Sequence, residues 1–297
     1  MGCWYRQKGM EVLGSVFGEV VESRDGGPLV ASLGVVGGGR RVDRERARDV
    51  AVLAWAARFR FVTIGALAVR WAVSEQRMRA RVRRLEREGL VLRVRRWTNH
   101  PAAIYPSERG LERMGLPARA RPRFDGRFGH EVAVIKRVLA AEAYFRQGGR
   151  HGATILTERD MRRAEGEGGR RFAIQVKDAA LRRRRRWPDY VVVTGEGSTA
   201  VELEFSAKST VRLRSIVGGY LRASAYDYVD FVLLQGGEHE ALRRRLGGII
   251  ATEVREAPLA SADRRVPRLR MVPWSDPLPV LHAGIAPFPP VERVAKA

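Results

Sequence analysis

The sequence predicts an α+β protein in two parts. The first is three helices closed by a β-hairpin, and the second is a longer segment in which helices and strands alternate. Three observations predict this. The chain has 297 residues, more than one average domain. Between residues 43 and 88 apolar residues recur with the helical period, whereas further on several stretches alternate with period two. Between these regions lies "LPARARPRFDG" at 116–126, a Pro- and Arg-rich stretch that reads as a linker.

The elements follow in order. Residues 1–42 read as an irregular arm, with short apolar runs and a glycine linker at 37–39. From Asp43, Val50, Leu53, Ala54 and Ala57 fall at i, i+3, i+4 and i+7 and mark a first helix. Thr63 caps a second, with Ile64, Leu67, Ala68 and Trp71 on one face. Ser74 caps a third, which buries Met78, Val82 and Leu85 and ends at Gly89. "LVLRVRRWTNHPAAIYP" alternates, turns near 99–101 and alternates again, a hairpin. "SERGLERMG" adds a short helix. This is the order of a winged helix-turn-helix, assigned to 43–117.

The second domain is assigned to 127–275. It opens with a helix at about 128–145, then an apolar stretch at 153–156 and an alternating one at 172–176. Strands are expected at 190–194 and 200–205 around a turn at 195–197. Leu213, Ile216, Val217 and Tyr220 mark a helix, "YVDFVLLQ" a buried strand, "EHEALRRRLGGII" a helix and "RLRMVPW" a last strand. Residues 276–297 form a Pro-rich tail.

Charge narrows the function. Fifty-five cations against 33 anions give a formal charge of +22, the balance of a protein that attracts polyanions, with double-stranded or single-stranded DNA the first candidate. Only five of the cations are lysine, which base composition can explain, but base composition does not explain the excess over acids. No apolar run reaches membrane-spanning length, so no membrane partner is expected. Nothing at the N-terminus reads as a secretion signal, and the opening "MGC" lacks the Ser or Thr that myristoylation needs at position 6. Cys3 is the single cysteine, which excludes an internal disulfide. A cytoplasmic protein fits.

Two clusters carry candidate chemistry. If the third helix buries Met78, Val82 and Leu85, its other face shows Gln76, Ala80, Arg83, Arg84 and Arg87, flanked by Arg77 and Arg79. Gln can read adenine, Arg can read guanine, and Arg95 and Arg96 on the hairpin suit phosphates. The same pattern fits a solvated helix of a dimerisation module. The second cluster lies in "RRRRRWPDYVVVTGEGSTAVELEFSAK", residues 182–208. Val201, Leu203 and Phe205 face one way and Glu202 and Glu204 the other. Asp189 begins the neighbouring strand. Three converging carboxylates call for a compensating cation, and Mg²⁺ or Mn²⁺ is the natural one. Lys208 could orient a water or stabilise phosphate charge. Glu131 either joins them from its helix or serves the helix dipole. Arg184, Arg185 and Arg186 are either a solvated loop or a clamp on the phosphates of a bound strand.

"PDY…VELEFSAK", preceded by a helix containing "GHEVAV", resembles the PD-(D/E)XK nuclease superfamily. Together with the winged helix it is similar to the replication–relaxation proteins of plasmids and integrative elements, which are related to nuclease-fold conjugative relaxases. The resemblance spans about 44–275 and rests more on element order than on the short motifs. It implies a restriction-endonuclease-like core with a metal-dependent site that nicks or binds DNA. Pro188–Asp189 match the first motif and Glu202 the acidic position of the second. Glu204 stands where a lysine is usual, so either Glu204 substitutes or Lys208 supplies the charge.

Two function classes follow. One is a metal-dependent DNA-nicking protein of a mobile element. The other is a non-catalytic DNA-binding initiator, accessory factor or transcriptional regulator that keeps a nuclease-like scaffold. A homodimer or other mobile-element proteins are the expected protein partners.

Overall fold

The computed structural model describes residues 40–95, 100–118, 122, 128–147, 153–178, 180, 182–204, 208–256 and 266–274. Residues 1–39 of the expected arm, the tail, Arg96, Phe205 and most of the linker lie outside them, whereas 40–42 join the first helix. The chain divides into two compact units: Met1–Glu131 with Arg163–Arg170, and Val132–Arg162 with Arg171–Ala297.

In the first unit, helix α1 (Arg40–Ala57) begins three residues earlier than its apolar pattern. Its buried stripe is Val52, Leu53, Trp55, Ala56 and Ala57, and Ala54 is exposed. The sequence pattern was therefore rotated slightly, because Trp55 demands the inner side. Helix α2 (Ile64–Arg70) is capped by Thr63, whose hydroxyl accepts from Ala66 N at 3.2 Å. Helix α3 (Glu75–Arg87) is capped by Ser74, whose hydroxyl accepts from Arg77 N. It buries Met78, Val82 and Leu85 as the spacing predicts. Gly89 follows at φ +70°, a left-handed conformation that favours glycine.

Strands β1 (Val91–Val94) and β2 (Ala103–Pro106) pair antiparallel. Val62, just before α2, bridges Ile104, so the segment between the first helices lends a third edge to the hairpin. Helix α4 (Glu108–Glu112) packs so closely that a Cβ on Gly110 would stand 2.1 Å from Leu90 O.

In the second unit a mixed five-stranded sheet has the order β3-β6-β7-β8-β9. Its strands are β3 (Thr154–Thr157), β6 (Tyr190–Thr194), β7 (Gly197–Glu204), β8 (Tyr228–Leu233) and β9 (Arg268–Pro273). β6 runs antiparallel to both neighbours, while β7, β8 and β9 run parallel. The parallel pairs need crossovers, and helices α7 (Thr210–Leu221) and α8 (Gly237–Glu256) make them. Helix α5 (Phe128–Gln147) precedes the sheet.

Two elements were not expected. Helix α6 (Glu158–Gly166) follows β3 directly. The arginine run is no loop: β5 (Arg183–Arg186) pairs antiparallel with β4 (Ile174–Lys177) in a separate ribbon. Among the described residues no helix is long and apolar enough to cross a membrane.

Candidate nucleic-acid interface and carboxylate centre

Helix α3 presents one apolar and one cationic face. Gln76, Arg77, Arg79, Ala80, Arg83 and Arg87 are exposed. Arg77, Arg83 and Arg87 have no anionic partner among the described residues, whereas Arg79 is held by Glu75 at 2.7 Å on the surface. Arg84 departs from the expected outer set. It turns to α1, where Asp49 and Glu45 both take its guanidinium, the latter at 3.1 Å, and Glu88 lies at 3.8 Å. Arg81 joins it on Asp49 at 3.3 Å. Asp49 is 9 % exposed, so these two arginines fasten α3 to α1 across a half-buried seam. Arg95 is exposed beyond β1, and Arg93 pairs with Glu86 at 3.2 Å. Glu131, in the first turn of α5, belongs to the first unit and pairs there with Arg60 at 3.1 Å.

In the second unit the alternation read from the sequence holds on β7. Register places Tyr190, Val201, Asp230 and Arg270 in one row across the sheet, and Glu202 with Phe231 and Met271 in the next. Successive rows face opposite sides. Glu202 and Glu204 therefore share a face, as expected, and both are fully buried rather than presented to solvent. α7 covers Glu202 there.

Each glutamate already has a cation. Arg186, at the end of β5, clasps Glu202 with Nη2 to Oε2 at 2.6 Å and Nε to Oε1 at 3.3 Å. The Tyr220 hydroxyl of α7 donates to the same Oε1 at 2.6 Å. Glu202 thus has both oxygens engaged. Its charge holds the Arg186 guanidinium even further above its ordinary range, against the effect of burial, and Asp189 adds to this. Burial, and then the Glu202 charge, raise the Tyr220 phenol well above its usual value, so Tyr220 stays a donor.

Lys208 pairs with Glu204 Oε2. Glu204 Oε1 is buried with no hydrogen-bond partner. Burial raises the Glu204 carboxyl and the charge of Glu202 adds to that, while Lys208 and Arg186 oppose it. Asp189, expected beside these carboxylates, immediately precedes β6. Its Oδ2 accepts from Leu203 N at 2.7 Å and its own N–H donates to Val201 O at 3.1 Å. The carboxylate clamps the neighbouring strand between the two glutamates.

The donor set does not fit a Mg²⁺ or Mn²⁺ ion as it stands. Glu202 has no open lone pair on the side that Arg186 and Tyr220 occupy, and no group of three acidic, His or Cys side chains among the described residues could hold a metal. Two guanidinium or ammonium groups do the neutralising that a metal would otherwise do. On the opposite face of the sheet Arg270 clasps Asp230 at 2.6 and 2.9 Å, and Arg137 of α5 hydrogen-bonds Tyr190. Burial raises Asp230 and Arg270 counters it.

Of the expected ribbon arginines, Arg184 pairs with Asp178 at 2.7 Å and Arg186 is committed to Glu202. Arg185 stays exposed, its guanidinium 5.0 Å from the Trp187 ring centre. Tyr220, which the sequence pattern placed only in an apolar stripe, belongs to this buried network. Its hydroxyl, on a side chain otherwise buried, was the available signal.

No family model matches this sequence. No curated protein shows significant similarity to it.

Proposed function

We propose that the chain is a DNA-binding protein whose first unit docks α3 in the manner of a winged helix. Its second unit is a nuclease-like scaffold that binds without cutting. The observation that carries the reading is the outer face of α3. Gln76, Arg77, Arg83 and Arg87 are exposed, the three arginines have no anionic partner among the described residues, and the helix is fastened from behind by Arg81 and Arg84. A cationic helix face held rigidly by a capped N-terminus and a buried apolar stripe suits the major groove. The β1–β2 hairpin, with Arg95 beside it, suits the adjacent backbone. In the second unit the element order, helix then strands then helix, strand, helix, strand, supports the nuclease-like frame. The Arg186–Glu202 and Lys208–Glu204 pairs favour a non-catalytic role, as an initiator, accessory factor or regulator of a mobile element acting alone, as a homodimer or with partner proteins.

A metal-dependent nicking reading is favoured by one specific observation, the unpartnered Glu204 Oε1. A hard divalent cation would satisfy that oxygen, but only if Arg186 released Glu202.

The docking of α3 is tested by Arg83→Ala. Loss of one guanidinium that reads a base is expected to cost about 1–3 kcal/mol in affinity, and one that only holds phosphate lowers the salt slope by about 1. Fluorescence anisotropy on duplex DNA over a salt series measures both. An unchanged affinity and slope would remove α3 from the interface.

A further inference from the structure

The β4–β5 ribbon has two chemically distinct faces. Its register sets Ile174 opposite Arg186, Gln175 opposite Arg185, Val176 opposite Arg184 and Lys177 opposite Arg183. Ile174, Val176 and Arg186 belong to the side that meets α7: a Cβ on Gly219 would stand 2.9 Å from Gln175 O, 3.2 Å from Ile174 Cδ1 and 3.4 Å from Val176 Cγ1. Ser215 of α7 accepts from Lys177 N at 2.6 Å and fastens the ribbon's end. The mounting is therefore close and rigid. The other face carries Gln175, Lys177, Arg183 and Arg185, all exposed. Trp187 continues the alternation of Arg183 and Arg185, and Arg162 of α6 stacks over its ring at 3.7 Å.

Carboxylates hold several cations on and beside this ribbon. Asp178 takes Arg182 and Arg184, Glu158 takes Arg162, and Glu202 takes Arg186. None takes Lys177 or Arg183, which stand directly opposite each other with no anionic partner among the described residues. Like charges at facing positions of an antiparallel pair destabilise it. A rigid ribbon that keeps such a pair exposed has a surface shaped for an anion it does not itself supply.

We propose that this outer face, Lys177, Arg183 and Arg185 with Arg162 behind them, is a second DNA contact that grips the phosphate backbone without reading sequence. The inference rests on the reading that the chain binds DNA, and it assigns part of that binding to the second unit. A two-stranded ribbon is one of the shapes a DNA groove admits, and contacts of this kind act through counterion release.

The test is a salt series of anisotropy measurements on a fluorescein-labelled duplex of random sequence, with full-length protein. The double variant Lys177→Gln, Arg183→Gln is expected to bind more weakly and to lower the magnitude of the salt slope by about 1.8, two phosphate contacts' worth. The same variant is expected to melt at an unchanged or higher temperature, since a repulsive pair is gone. A weaker slope with undiminished melting temperature supports the ribbon contact, because a structural role would lower both together. Lys177→Arg, Arg183→Lys keeps the charge and is expected to keep the slope. If wild type binds the duplex and the Gln double variant matches it in affinity and slope, the ribbon is not a contact. Wild type failing to bind at any salt concentration overturns the DNA-binding reading itself.

Discussion

At the scale of single residues, the decisive feature is Arg186. It is the one member of a five-arginine run whose guanidinium is drawn inward, and it meets a glutamate with no solvent exposure at all. Two ions leave water at a cost of several kcal/mol each, and they are held only because the geometry is bidentate and Tyr220 fills the remaining position. Removing one partner strands the other. Arg186→Ala is therefore expected to destabilise the protein by about 3–5 kcal/mol, measured by urea denaturation. Truncating Arg183, three residues earlier and exposed, is expected to cost less than about 0.5 kcal/mol. Equal effects of the two substitutions would show that Arg186 is not a buried partner.

At the scale of elements, α2 and α3 were legible because they carry their own boundary chemistry. Thr63 and Ser74 accept the amide hydrogens that a helix start leaves free, and Gly89 adopts the positive φ that a helix end needs. These are contacts within four residues, so sequence spacing reports them. α4 shows the limit. Its start is marked by Ser107, but its placement depends on Gly110 meeting Leu90 O, twenty residues away. Gly110→Ala is expected to lower the melting temperature sharply, with a stability loss of about 1–3 kcal/mol from overpacking against backbone that cannot yield. Gly129→Ala, where nothing lies within 4 Å, is the matched control and is expected to be neutral or to stabilise by up to about 1 kcal/mol. The ribbon strand β5 was the opposite case. Arginine has no periodic apolar signal, so nothing local distinguished a strand from a solvated loop. Its identity comes from pairing with β4 and from Glu202.

At the scale of the whole molecule, the charge of +22 argues for a polyanionic partner but does not say which surface meets it. The structure narrows the choice by subtraction. Arg81, Arg84, Arg137, Arg186 and Arg270 make internal contacts, whereas Arg77, Arg83 and Arg87 on α3 and Lys177 and Arg183 on the ribbon are exposed with no anionic partner among the described residues. The same accounting governs catalysis. A supercoiled plasmid incubated with the protein and Mg²⁺ or Mn²⁺ is expected to stay supercoiled, read on an agarose gel. Metal-dependent relaxation that Glu204→Ala abolishes would instead establish the nicking reading.

Legible in the sequence were the α+β class, three helices with caps at Thr63 and Ser74, the hairpin, the strand alternation that puts Glu202 and Glu204 on one face, and the excess of positive charge. Each of these is a property of neighbouring residues or of composition. The tertiary structure alone decided what the carboxylates face. Spacing sets the direction in which a side chain leaves its strand, but not which distant group arrives there. Arg186 comes from a ribbon, Tyr220 from a crossover helix and Lys208 from beyond the strand end, and together they engage Glu202 and Glu204 in a buried ion network. Desolvation makes that difference physical. A carboxylate in water can wait for a cation, whereas one with no solvent exposure must be folded together with its partner.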